Sequence, residues 1–133
     1  MSGAIAEAVR IIAREVDGLI AVYRHGSFGT ADERPDSDLD LAILAAAPIP
    51  AARRLALAAA IGEAIGREAD LADLRSASTV FQARTVAAGE CVFAGAERAR
   101  REFEMRALAA YAMLNEERAG IIADAHGRGS IHG

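Results

Sequence analysis

The sequence predicts a small α/β (α+β) domain, a mixed β-sheet flanked by helices and closed by a long C-terminal helix. Three observations carry that prediction. The chain has 133 residues and 53% hydrophobic content, enough for one core and short of two. Its apolar residues switch between helical spacing and short β-branched runs, which gives the order α-β-loop-β-α-β-α-β-α. The last helical pattern is also the longest.

Each element has its own signal. Ile5, Val9, Ile12 and Val16 recur at helical spacing until Asp17-Gly18 stops them. Leu19 to Tyr23 is a compact run with β-branched and aromatic members, a buried strand. Residues 26–37 are polar and rich in turn-formers, a loop with room for one helical turn after Gly26. Asp38 to Leu44 returns to strand character. Ala51 to Ile65 is alanine- and leucine-rich with Leu57, Ile61 and Ile65 on one face, a helix with Gly66 near its end. Ala69 to Leu74 is a third strand. Ser78 to Ala88 is a helix with Ser78 as N-cap and Gly89 as stop. Cys91 to Phe93 is a short buried strand, and Cys91 is expected as a small core residue. Ala96 to Arg118 is the long helix, with Phe103, Ala107, Tyr111 and Leu114 as its stripe. Residues 1–120 form the expected domain, and residues 121–133 a flexible glycine-rich tail.

Composition removes several function classes. The net charge is −4 with scattered basic residues, and aromatic content is 5% with no tryptophan. A domain that grips long nucleic acid normally shows a basic face or stacking aromatics, so none is expected as the main ligand. The single cysteine cannot close an internal disulfide, which fits a reducing cytoplasm. The longest apolar stretch, Leu41 to Ala52, contains Pro48 and Pro50 and is too short to span a bilayer.

The chemistry lies in Asp38-Leu39-Asp40-Leu41. On a strand, Asp38 and Asp40 share one face while Leu39, Leu41 and Ile43 share the other. Two carboxylates so placed repel unless a cation lies between them. Mg²⁺ suits the position, because it takes oxygen ligands and leaves places for substrate phosphates, and such a pair can hold two ions. Upstream, Gly26-Ser27 follows a strand directly. Glycine admits a phosphate close to the backbone, and the serine hydroxyl with nearby N–H groups can bind its oxygens. Either motif alone is commonplace; together, in a strand–loop–strand setting, they are far more specific.

Gly26-Ser27, ten intervening residues, then Asp38-Leu39-Asp40 resembles the signature of the polymerase β-type nucleotidyltransferases. More closely, His25-Gly26-Ser27-Phe28-Gly29-Thr30 and Pro35-Asp36-Ser37-Asp38-Leu39-Asp40-Leu41 are similar to the minimal nucleotidyltransferases of the MntA type, the antitoxins of HEPN/MNT (HepT–MntA) modules. The resemblance implies the polymerase β-like fold and a third carboxylate on a later strand. Asp70 and Asp73 are the candidates, three apart and so on opposite faces of a regular strand; similarity to the family's pattern selects Asp70 and leaves Asp73 on the solvent side or at the strand end. It also implies transfer of AMP from ATP to a hydroxyl, a tyrosine of a cognate HEPN RNase toxin. Asp38, Asp40 and Asp70 would hold Mg²⁺, Asp70 would help take the proton, and Gly26 and Ser27 would hold the β- and γ-phosphates. The sequence departs from its relatives in lacking an arginine within Phe28-Gly29-Thr30; the nearest basic groups are Arg24 and Arg34, both expected as solvated surface residues.

Two other readings stay open, a small-molecule nucleotidyltransferase of the aminoglycoside-modifying kind and a non-catalytic antitoxin acting by occlusion. The first generally adds a helical domain for its acceptor. This sequence shows one catalytic domain and a single long helix, so a partner protein is expected to supply the acceptor. Other conspicuous residues read as structural. His25 is expected as a strand-end residue with ordinary hydrogen bonds, and Tyr23 and Tyr111 as core residues with a polar tip. Arg98, Arg100, Arg101 and Arg106 alternate with Glu97, Glu102 and Glu104 as on a solvated, ion-paired helix face.

Overall fold

The computed structural model describes residues 3–26 and 38–132, with side chains as far as residue 123. Its elements are α1 (Gly3–Glu15), β1 (Leu19–His25), β2 (Leu39–Ala45), α2 (Ala51–Ile65), β3 (Ala69–Asp73), α3 (Thr79–Ala88), β4 (Glu90–Ala94) and α4 (Glu97–His132). The order is the one the apolar periodicity predicts, with a 3₁₀ turn at Leu74–Ser76 added after β3.

The four strands lie in the order β3-β2-β1-β4. β1 is antiparallel to both β2 and β4, while β2 and β3 run parallel, joined through α2. A parallel pair needs a crossover, and α2 is that crossover. The sheet is therefore mixed, with β1 and β2 central and covered on both faces.

Each face has its own core. On one, Ile5, Val9 and Ile12 of α1 and Leu57 and Ile61 of α2 pack onto Leu39, Leu41, Ile43 and Leu71. On the other, Tyr23, Ala42, Leu44 and Leu74 meet Phe81 and Val86 of α3 and Ala99 and Phe103 of α4. Strand alternation decides which residue joins which core. Asp40 precedes Ala42 by one pleat step and so belongs to the α3/α4 face.

The helix ends follow local chemistry. Ser78 caps α3 by accepting a hydrogen bond from the Phe81 N–H at 3.1 Å. Gly66 closes α2 in the left-handed region (φ 72°) and donates its N–H to the Gly62 carbonyl at 2.9 Å. α4 packs through Phe103 and Ala107, with Tyr111 and Leu114 half-buried, and from residue 115 to 123 its side chains are exposed. Its backbone remains helical to His132, across residue 120, where glycine content alone places a boundary. Among the described residues, no helix is long and apolar enough to cross a membrane.

Cys91 corrects the sequence reading. It is exposed, not a core residue. β4 pairs only with β1 at the sheet edge, and its burial pattern has no fully buried position. An apolar run on an edge strand with one neighbour is left half open.

Candidate functional site

The site forms where β1 ends and β2 begins. The register pairs His25 of β1 with Asp40 of β2, and Asp40 with Asp70 of β3. In a parallel pair, residues in register project to the same face, so Asp40 and Asp70 stand side by side. Asp38 precedes β2 by one residue, is exposed, and borders a cleft together with Asp70. Asp40 and Asp70 thus share the α3/α4 side of the sheet.

Electrostatics tie the three together. The Asp40 carboxyl is raised above its ordinary range, first by burial, with the charges of Asp70 and Asp38 adding to the effect and His25 opposing it. A half-buried carboxylate pressed by two others, with His25 as its counterweight, is a condition a divalent cation would further relieve. Among the described residues, no three Asp, Glu, His or Cys side chains are gathered as a ready-made metal cage. The donor chemistry still suits Mg²⁺, which is content with one or two carboxylates and completes its shell with water and phosphate oxygens.

Gly26 follows β1 directly with φ 78°. A Cβ there would fall inside the van der Waals envelope of Asp40 Oδ2 and 3.2 Å from its Cγ. Glycine is needed twice over, for the backbone conformation and for room beside the carboxylate. Ser27 lies outside the described residues, as do Arg34 and the rest of the 27–37 segment.

Asp73 is not a member of the group. It is buried at the end of β3 on the opposite face from Asp70, and its Oδ2 accepts the Ile49 N–H at 3.0 Å and the Ser76 hydroxyl at 2.7 Å. Asp70 and Asp73 thus face opposite sides of the sheet, as their spacing predicts. The expectation that Asp73 sits on the solvent side does not hold; it fastens the β3 exit to the segment before α2, so its strand-end placement is the part that stands.

Two clefts flank the carboxylates. One, of about 660 Å³, opens along the β3 edge between Asp38, Glu63, Glu68 and Asp70, with Arg67 beside them. The other, of about 430 Å³, lies between the end of β1 and α3, bordered by His25, Gly26, Phe81, Arg84 and Thr85. The first is predominantly acidic and the second carries most of the nearby positive charge.

Arg24 behaves differently from its expected role. Arg24 is largely buried and pairs with its cross-strand partner Glu90, its Nε donating to Glu90 Oε2 at 3.0 Å. It is not a solvated arginine, because Glu90 on the neighbouring strand β4 pairs with it. His25 meets the edge of Phe81 at 5.4 Å between ring centroids, and its buried Nε2 has no hydrogen-bond partner among the described residues. Sequence reading did not single out Arg84. The available signal was that Phe81, Arg84, Thr85 and Ala88 recur at helical spacing on the side of α3 facing β1.

The charged face of α4 is in part structural. Arg98 pairs with Glu102 at 3.5 Å in solvent, whereas Arg100 bridges Glu97 at 2.8 Å and Glu104 at 3.2 Å. Glu104 also accepts the buried Tyr23 hydroxyl at 2.6 Å, which locks α4 to β1. Burial and the neighbouring Glu104 carboxylate push the Tyr23 phenol well above its usual range.

Comparison with known proteins places the chain among nucleotidyltransferases. The family described as polymerase beta nucleotidyltransferase matches residues 7–98. The chain is 31% identical to the protein adenylyltransferase MntA of Shewanella oneidensis over 116 residues, covering 87% of this chain and 83% of that protein. A toxin–antitoxin crystal structure with AMP-PNP contains a chain that superposes with a TM-score of 0.81 at 29% identity, covering 94% of this chain and 99% of the other. A structure of the tri-AMPylated Shewanella oneidensis HEPN toxin in complex with its MNT antitoxin gives a TM-score of 0.74 at 28% identity, covering 92% and 98%.

Proposed function

Since the chain belongs to the polymerase beta nucleotidyltransferase family, we propose that it transfers AMP from ATP to a tyrosine hydroxyl of a HEPN-type toxin and so acts as the antitoxin of a toxin–antitoxin pair. The observation that carries the assignment is the pairing of Asp40 with Asp70 on one sheet face, immediately beside Gly26. The likeness to a protein adenylyltransferase supports the reaction type, and the likeness to a chain from a complex with an AMPylated toxin supports the acceptor. A reducing cytoplasm is the compartment in which such a pair would act.

The chemistry divides among a few groups. Asp38, Asp40 and Asp70 would hold Mg²⁺. When bound, it neutralises the triphosphate and favours the ionised form of the attacking hydroxyl. Gly26 leaves space for a phosphate against the backbone, and Ser27 would donate its hydroxyl to the β- and γ-phosphates. Asp70, exposed at the edge of the acidic cleft, would help take the proton as the acceptor oxygen bonds to the α-phosphorus. The bond from that phosphorus to the bridging oxygen breaks, and pyrophosphate leaves. Catalysis here is chiefly positioning and charge neutralisation.

The test is direct. The purified protein is incubated with Mg²⁺, ATP labelled at the α-phosphate and the candidate HEPN partner, and the partner is examined for AMP on tyrosine. Label should appear with wild type and vanish in the Asp38→Asn/Asp40→Asn double variant. Transfer that survives the double substitution would overturn the assignment.

A further inference from the structure

The two clefts beside the carboxylates differ in charge, and the difference bears on where the polyphosphate lies. Asp38, Glu63, Glu68 and Asp70 border the β3-edge cleft against one Arg67. A triphosphate entering there would meet several like charges. The cleft between β1 and α3 is bordered by Arg24, Arg84 and His25, with Glu90 as the acidic member. Glu90 is already engaged by Arg24, so the pair largely cancels. Arg84 has no ion-pair partner among the described residues. The second cleft therefore carries a net positive charge located on α3.

Distance favours the same side. His25 and Gly26 border this cleft, and His25 lies in register with Asp40. Adjacent strands are about 4.8 Å apart, so the cleft begins one strand spacing from the central carboxylate. That is short enough for a single polyphosphate to reach from the carboxylates into the cleft. The side chain needed to receive it must come from α3, since the Phe81, Arg84, Thr85, Ala88 side of that helix forms the wall.

We infer that Arg84 binds the pyrophosphate end of the nucleoside triphosphate in the cleft between β1 and α3, a positioning and charge-neutralising role that rests on the nucleotidyl-transfer reading above. Arginine suits it, because its planar fork can hold two phosphate oxygens at once and keeps its charge at any working pH. In the reaction, Arg84 would hold the β- and γ-phosphates while the bond to the α-phosphorus breaks, and would release them as pyrophosphate. The acidic cleft is left to the acceptor hydroxyl.

The experiment compares wild type with Arg84→Gln and Arg84→Lys in the full chain with Mg²⁺. It reads calorimetric affinity for a non-hydrolysable ATP analogue, kinetic constants for AMP transfer to the HEPN partner, product inhibition by pyrophosphate, and inhibition by added AMP. Arg84 is exposed, so both variants should melt like wild type. Arg84→Gln should weaken the analogue and raise both the KM for ATP and the inhibition constant of pyrophosphate by about 10- to 100-fold, as expected for one charge-assisted contact. Inhibition by AMP, which lacks the pyrophosphate end, should be unchanged, and Arg84→Lys should recover part of the loss. If Arg84→Gln binds the analogue as wild type does, or loses AMP and pyrophosphate equally, the assignment of Arg84 falls while nucleotidyl transfer stands. If wild type itself neither binds the analogue nor transfers AMP, the underlying reading falls with it.

Discussion

Gly26→Ala separates the two demands placed on that glycine, and Gly66→Ala is its natural control. Both positions lie in the left-handed region, at φ 78° and φ 72°. A residue with a Cβ pays about 1–2 kcal/mol there. At Gly66 nothing lies within 4 Å of an added Cβ, so backbone strain is the whole effect. At Gly26 the same atom would overlap Asp40 Oδ2. Restoring ordinary contact requires the carboxylate to retreat by about 1 Å, or the backbone after β1 to move by as much.

The two variants should therefore lose similar stability and very different amounts of activity. For a domain of this size, thermal midpoints should fall by roughly 2–8 °C in both. AMP transfer per folded molecule should be unchanged in Gly66→Ala. In Gly26→Ala it should fall by about 100-fold or more, since a displacement of that size at the reacting centre costs that much. The assay is initial-rate transfer from labelled ATP, corrected for folded fraction by circular dichroism at the same temperature. Equal activity losses in the two variants, or full activity in Gly26→Ala, would refute the claim that Gly26 exists to make room beside Asp40.

Other substitutions probe the neighbours. Asp70→Asn should cut transfer by about 100-fold or more with little change in thermal midpoint, whereas Asp73→Ala should strand the Ile49 N–H and cost about 2–3 kcal/mol in urea denaturation while activity per folded molecule persists. Tyr23→Phe removes the 2.6 Å hydrogen bond to Glu104 and should lower stability by about 1–2 kcal/mol, with nucleotide affinity unaltered by calorimetry. Asp40→Asn should be more stable than wild type at neutral pH in EDTA. Folding raises the Asp40 carboxyl above its ordinary 3.8, and a carboxyl raised on folding contributes stability below that value and loses it as pH rises through the folded one. Denaturation midpoints should converge below pH 3.8 and separate as pH climbs, and a wild type more stable than the variant at neutral pH would contradict the raised carboxyl.

Local sequence carried much of the architecture. α2 occupies the span that its alanine and leucine periodicity predicts, and Ser78 and Gly89 bound α3 as expected. These features depend on residues within a turn or two of each other. What escaped depends on partners far along the chain. β1 runs to His25, past the apolar run ending at Tyr23, because β2 offers it Leu41 and Asp40 as pairing partners. Arg24 is withdrawn from solvent by Glu90, 66 positions away. Asp73 is buried because the segment before α2 presents the Ile49 N–H to it. Cys91 is exposed because β4 is an edge strand, and edge or centre is a property of the whole sheet. The site divides the same way. Asp38 and Asp40 announced themselves by spacing, while Arg84 is one arginine among many until α3 is laid against β1.

The like charges at the site are brought together by the core beneath them. Leu39, Leu41 and Ile43 are fully buried between β2 and the α1/α2 layer. Sliding β2 by one residue would bring Asp40 to that layer and turn the three apolar side chains to the other face. Burying that carboxylate among apolar side chains, with three large residues forced against the α3/α4 layer, would cost at least several kcal/mol, comparable to the whole stability of a small domain. The register is thus fixed by hydrophobic burial, and the register places Asp40 against Asp70 whatever the two charges prefer. The repulsion is tolerable because Asp38 and Asp70 are exposed at the solvent end of their strands, where water screens them. Only Asp40 is drawn partly inside, and it is the one whose carboxyl is raised. The carboxylates are thus aligned by a core that lies on the other face of the sheet. The core on the opposite, α3/α4 face divides that side of the sheet: Leu44, Leu74 and Phe103 close one end of it, and the small Ala42 and Ala72 lead to the open end where Asp40 and Asp70 meet solvent.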